Sequence, residues 1–140
     1  MRVLKSIFII LLIANVTNTF AQKNQHKIVF QFTNANDTLQ QKAFVKQLEN
    51  LTEYWPNAKY EVVLYNQGLE LVMLKNTTYS ERLKTLKSKG IKFVVCENTL
   101  KNRKISKDEF DPNLVEYVKV GIAEIVEKQE QGWAYIKGGF

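Results

Sequence analysis

Three short runs of apolar, β-favouring residues recur along this chain, and each is followed by residues spaced for a helix. The runs are Lys27 to Phe32 (KIVFQF), Tyr60 to Tyr65 (YEVVLY) and Ile91 to Val95 (IKFVV). Strand–helix alternation of this kind argues for a parallel sheet, because each crossover helix must bury its apolar stripe on a sheet face. The near-continuous apolar character of the first and third runs agrees, since central parallel strands are covered on both sides.

The intervening segments carry helix signals. Asp37-Thr-Leu-Gln40 reads as a helix start, with Asp37 capping and Gln40 reaching back. Leu39, Ala43, Phe44, Leu48, Leu51 and Trp55 then recur near the helical period until Pro56 stops the helix. Asn66-Gln-Gly68 closes the second run, and Leu69 to Leu74 suits a short helix. Thr78-Tyr-Ser-Glu81 reads as a second capping box, opening a helix through Leu83 and Leu86 that Gly90 ends. Residues 100–112 are polar and irregular, with one turn signalled by Ser106 and Glu109. Leu114 to Val118 is a fourth strand, and Ile122, Ile125, Val126 and Gln129 mark a last helix ending at Gly132. Trp133 to Ile136 is a fifth strand. The expected architecture is α/β: a flavodoxin-like parallel five-stranded sheet with helices on both faces and the first strand between the second and third.

The N-terminus reads as an address. Arg2 and Lys5 precede an unbroken apolar run from Ile7 to Ala14, and Thr19-Phe20-Ala21 places small residues at a cleavage site before Gln22. Asn15, Thr17 and Asn18 interrupt the run well short of the roughly 20 residues a membrane span needs. Residues 1–21 are therefore expected to be a signal peptide and residues 22–140 one domain, exported to the periplasm or secreted, with no stable membrane span after cleavage.

Composition removes several function classes. The formal charge is +6, but two of the basic residues lie in the leader, and the densest basic cluster (Lys101, Arg103, Lys104, Lys107) runs straight into Asp108, Glu109 and Asp111. A nucleic-acid surface would want a one-signed stripe, so no nucleic-acid partner is expected. One cysteine excludes an internal disulfide and dithiol exchange, and one histidine excludes the familiar multi-histidine metal sites, so no metal is expected. The glycines form neither G-x-G-x-x-G nor a P-loop. No cofactor is expected.

Open parallel sheets bind ligands beyond the carboxyl ends of their strands. The segments leaving those ends supply the candidate ligand-binding residues Thr33, Asn34, Asn66, Gly68, Glu97, Asn98 and Thr99, with Cys96 as the candidate catalytic thiol. Were Asn98 or Thr99 to open a helical turn, its free N–H groups would stabilise a thiolate at Cys96, whereas Glu97 pointed at the sulfur would oppose it. A cysteine ending an apolar strand also serves as a small buried hydrophobe, and position alone leaves both readings open. His26 lies at the other end of the first strand, too far to pair with Cys96. One of Trp133 and Tyr135 is expected to help cover the core or a subunit interface.

Phe93-Val-Val-Cys-Glu-Asn-Thr-Leu100 and the closing stretch from Val120-Gly-Ile-Ala-Glu-Ile to Gly132-Trp-Ala-Tyr-Ile-Lys137 resemble the DsrE/DsrF-like (YchN-like) family, in its exported branch. The resemblance runs from about Lys27 to Gly138. It implies a flavodoxin-like sheet assembled as a homo-oligomer, commonly a trimer or hexamer. In the sulfur-relay members a cysteine after a central strand takes up sulfur as a persulfide and passes it to a partner protein; Cys96 matches that position. Two functions follow as expectations. One is a thiol-based sulfur carrier using Cys96 as persulfide or mixed-disulfide acceptor, with a sulfur-donor or acceptor protein as partner. The other is a non-catalytic oligomeric module binding a small ligand or protein, with Cys96 structural.

Overall fold

The computed structural model describes residues 25–139, so the signal peptide expected over residues 1–21 lies outside the described residues. Five strands form one sheet: β1 (Lys27–Phe32), β2 (Lys59–Leu64), β3 (Ile91–Cys96), β4 (Val115–Val118) and β5 (Ala134–Lys137). Every neighbouring pair is parallel, as the alternation predicts. Four helices connect them: α1 (Thr38–Tyr54), α2 (Ser80–Ser88), α3 (Glu97–Arg103) and α4 (Gly121–Glu130). A 3₁₀ segment over Asn66–Leu71 replaces the short helix expected after β2. None of the described helices is long and apolar enough to cross a membrane.

The strand order corrects one expectation. It is β4-β3-β2-β1-β5, so the second strand lies between the first and third, where the first was expected between the second and third. From β1 to β4 each crossover steps to the adjacent strand in the same direction. Only the connection through α4 reverses, carrying the chain back across the sheet to the far edge. The winding therefore turns between β1 and β5, not between β1 and β3. A backbone contact fixes β2 beside β1 at their exits, where buried Gly68 crosses against the Phe32 carbonyl.

The two faces are unequal. One holds the main core, where Phe30, Phe32, Tyr60, Val62, Leu64, Phe93 and Val95 from the strands meet Phe44, Val45 and Leu48 of α1 and Leu83 and Leu86 of α2. Phe44 stacks on Phe32 at 4.3 Å between ring centres and meets Phe30 edge-on at 5.7 Å. The other face is covered by α4, whose Ile125 packs on Val29 and Val63, with Tyr65 and Trp133 alongside. Trp133 is thus the aromatic that helps cover a core, as expected of that pair.

Local signals fared differently. Asp37 caps α1 by accepting from the Leu39 N–H at 2.8 Å. The buried face of α1 runs through Gln41, Phe44, Val45, Leu48 and Thr52, which leaves Leu39 64% exposed and Ala43 in solvent. Gln41 stays buried because its amide bonds the Ala35 carbonyl and accepts from Asn76. The expected Thr78–Glu81 capping box does not form: α2 begins at Ser80, and its N-cap residue Tyr79 makes no side-chain bond. Ser106 and Glu109 do form a reciprocal cap, around a 3₁₀ turn over Lys107–Glu109. The segment read as irregular opens with α3, a helix of seven residues.

Candidate functional site

Cys96 is the last residue of β3 and the N-cap of α3. Its side chain points to the face covered by α4. The Gly121 N–H, at the start of α4, donates to Cys96 Sγ at 3.2 Å. The Lys119 carbonyl lies 4.0 Å from the same sulfur and also accepts from the Asn98 N–H at 3.1 Å. The thiol thus sits where two helices begin, and their unpaired donors and dipoles favour negative charge there. Burial pushes the thiol up, but the Gly121 amide, then Thr99 and Asn98, outweigh it and hold Cys96 below the ordinary thiol value. The residue is only 5% exposed.

Gly121 is the close-approach point. A Cβ there would lie 3.2 Å from Cys96 Cβ, 3.2 Å from Val63 Cγ1 and 3.4 Å from Tyr65 Cδ1. A side chain there would press on all three groups, so glycine suits a position whose amide reaches the sulfur. Beyond Tyr65 the face is polar: the Gln31 amide bonds the Tyr65 hydroxyl, and the Tyr135 hydroxyl bonds Gln31 Oε1. Burial and the neighbouring Tyr135 and Cys96 keep Tyr65 above its usual value despite the Gln31 bond, so the phenol remains protonated.

The candidate residues divide into three groups. Cys96, Asn98 and Thr99 share one turn, and the buried Thr99 hydroxyl accepts from the Asn66 N–H at 3.2 Å, bringing the exit of β2 to α3. Asn66 holds a left-handed conformation (φ 51°), and its carbonyl accepts from Arg103 at 2.8 Å. Glu97 turns away, pairing with Lys107 at 2.5 Å, which settles the question of whether its carboxylate opposes the thiolate. Thr33 and Asn34 leave β1, which does not neighbour β3, and the Asn34 side chain accepts the Asn36 N–H in a local turn. Gly68 packs against the Phe32–Thr33 backbone. The structure therefore does not join Thr33, Asn34 and Gly68 to Cys96: β2 lies between β1 and β3, and Gly68, although it follows β2, is turned onto the end of β1. His26 stacks on Trp55 at 4.4 Å, at the opposite end of the sheet from Cys96.

Gly121, Tyr65, Gln31 and Tyr135 were not singled out from the sequence as site residues. A backbone amide has no residue signature, although Gly121 lies in the Val120-Gly-Ile stretch that carried the resemblance.

Fold and site together define a parallel α/β domain whose one cysteine ends a central strand where two helices begin. The chain belongs to the DsrE/DsrF-like family, whose model matches residues 11–137. It is similar to a solved protein of unknown function, MTH1491 from Methanobacterium thermoautotrophicum, at 27% identity and TM-score 0.74, covering 81% of this chain and 99% of that one. It also matches the fold of a conserved protein of unknown function, BT1422 from Bacteroides thetaiotaomicron, at 15% identity and TM-score 0.64, covering 84% of this chain and 98% of that one. No curated protein sequence matches the chain.

Proposed function

We propose that this protein is an exported sulfur carrier in which Cys96 accepts a sulfane sulfur, acting in the periplasm or outside the cell as a homo-oligomer. The observation that carries the reading is the Gly121 N–H donating to Cys96 Sγ at 3.2 Å, which favours the thiolate in a family that includes sulfur-relay proteins. The thiolate attacks the outer sulfur of a donor persulfide, R–S–SH. A new S–S bond forms at Cys96 as the donor's S–S bond breaks, and R–S⁻ leaves to take a proton from water. No external oxidant or reductant is consumed. Transfer onward repeats the step with an acceptor thiolate attacking the Cys96 persulfide. Thr99 and Asn98 add to the stabilisation of negative sulfur.

Mass spectrometry of the folded protein after exposure to cysteine persulfide tests this. The wild type should gain the mass of one sulfur atom, lost again on reduction, and Cys96→Ser should gain none. A wild type left unmodified while a control thiol is labelled would overturn the carrier reading.

The low exposure of Cys96 favours a second reading, a non-catalytic binding module in which the thiol is packing. Alkylation across pH separates the two. A labelling midpoint below that of free cysteine supports the carrier, whereas protection until unfolding supports packing.

Assembly is supported by the apolar residues left in solvent beside the site: Val120, Ile122 and Val126 around α4, and Tyr135 on β5. Sedimentation velocity should give a trimer or hexamer. A monomer at tens of micromolar would count against assembly.

A further inference from the structure

We infer that the buried Glu61–Lys128 pair is a positioning device for Cys96, seating α4 so that the Gly121 amide stays on the sulfur. The inference deepens the carrier reading, on which it rests only for its purpose; the coupling is a property of the thiol.

Among the described residues α4 is the helix on that face, and its grip is slight. It buries Gly121 and Ile125, while Ile122 and Val126 face solvent. An element with so few apolar contacts opens easily unless something else holds it. That hold lies near its far end. Lys128 Nζ, 17% exposed, reaches Glu61 Oε2 at 2.7 Å and Glu124 Oε1 at 3.2 Å, with the Trp133 ring 4.8 Å from the ammonium. Glu61 belongs to β2 and is 2% exposed, and its other oxygen, Oε1, has no hydrogen-bond partner. A buried carboxylate with one orphaned oxygen depends on its remaining counter-ion, so lifting α4 would cost either an unpaired charge in the sheet or the uptake of a proton by Glu61.

The other charged groups nearby do not replace Lys128. Lys59 and Lys92 line the cavity of about 430 Å³ beside Glu61, but Lys92 lies 3.7 Å from Glu116 and Lys59 is exposed. Burial raises the Glu61 carboxyl and Glu124 adds to it, while Lys128 opposes both, in keeping with that dependence. Near the sulfur, Tyr65 is a protonated neighbour and Glu97 is already paired with Lys107.

Lys128 and Gly121 are about two turns apart, roughly 10 Å along a stiff helix. Fixing one end sets the other. At the Gly121 end the backbone itself lies against Cys96 and Val63, with the N–H 3.2 Å from the sulfur. A small tilt of α4 therefore removes the N–H from the sulfur and opens the thiol to solvent.

The test is the pH profile of Cys96 alkylation by iodoacetamide in the full chain. In Lys128→Met and in Glu61→Gln the midpoint should move up towards free cysteine. The plateau rate should rise, by roughly tenfold or more for Lys128→Met, since breaking a buried pair is strongly destabilising. Lys128→Arg should restore the wild-type profile. Unchanged profiles in the folded variants, even with lowered melting temperatures, would overturn the inference and leave the pair a purely structural one. If Lys128→Met does not fold, the isosteric Glu61→Gln decides alone. Persulfide uptake by the wild type is read separately, so a shifted profile without uptake would sink the carrier and leave the positioning intact.

Discussion

Gly68→Ala is expected to destabilise the fold by about 3 kcal/mol or more, at the upper end of what overpacking does. A Cβ at Gly68 would stand 2.1 Å from the Phe32 carbonyl oxygen, 2.7 Å from its carbon and 3.1 Å from Thr33 Cα. All three are backbone atoms at the end of a central strand, so no side chain can swing aside. The surroundings are tied as well: the Gly68 N–H donates to the Tyr65 carbonyl at 3.0 Å, and the Tyr65 N–H approaches the same Phe32 oxygen at 3.4 Å. Helix propensity argues the other way, since alanine is favoured over glycine by about 1 kcal/mol within helical turns. The clash wins because it can be relieved only by separating the exits of β1 and β2. Urea unfolding should show a large drop in midpoint at nearly constant slope. A change under about 1 kcal/mol would mean that the two strand exits do not approach so closely.

That contact also shows where the sequence stopped being informative. The strands were legible because five parallel strands need runs of apolar, β-favouring residues, and Lys27–Phe32 begins and ends where the pattern says. Their order was not, because nothing in the run YEVVLY says which neighbour it takes; a glycine crossing a carbonyl four residues after the strand does. The face of α1 was misjudged in its first turns, where Leu39 and Ala43 matched the helical period but Gln41 held the buried position through polar bonds. The short helix α3 was signalled only as a turn that Asn98 or Thr99 could open, because Glu97-Asn-Thr-Leu-Lys-Asn-Arg103 offers only Thr99 and Leu100 to the interior. At the site, Cys96, Asn98 and Thr99 were readable as a strand exit. Gly121 and Lys128 come from a helix that arrives after another strand, and Glu61 reads as an exposed charge in an otherwise apolar run. Spatial partners brought together by the reversed crossover leave no local trace.

The inequality of the two faces leads to the second large effect. Phe44 is fully buried, stacked on Phe32 and edge-on to Phe30, and its ring lies 2.5 Å from where a Cβ on Gly138 would be. It therefore joins α1, β1 and the segment after β5, which the Gly138 N–H ties back to the Gln31 carbonyl at 2.7 Å. Phe44→Ala should cost about 3–5 kcal/mol, combining lost transfer energy with the cavity left behind. Yet Phe44 and Cys96 lie on opposite faces of the sheet, and the Gly121 amide that donates to the sulfur belongs to α4, on the face away from Phe44. The alkylation midpoint of Cys96 in the folded variant should therefore stay at the wild-type value while the urea midpoint falls steeply. Lys128→Met should do the reverse in proportion, moving the thiol more than its effect on stability alone would require. If Phe44→Ala shifts the Cys96 midpoint as far as Lys128→Met does, general loosening rather than the seat of α4 governs the thiol.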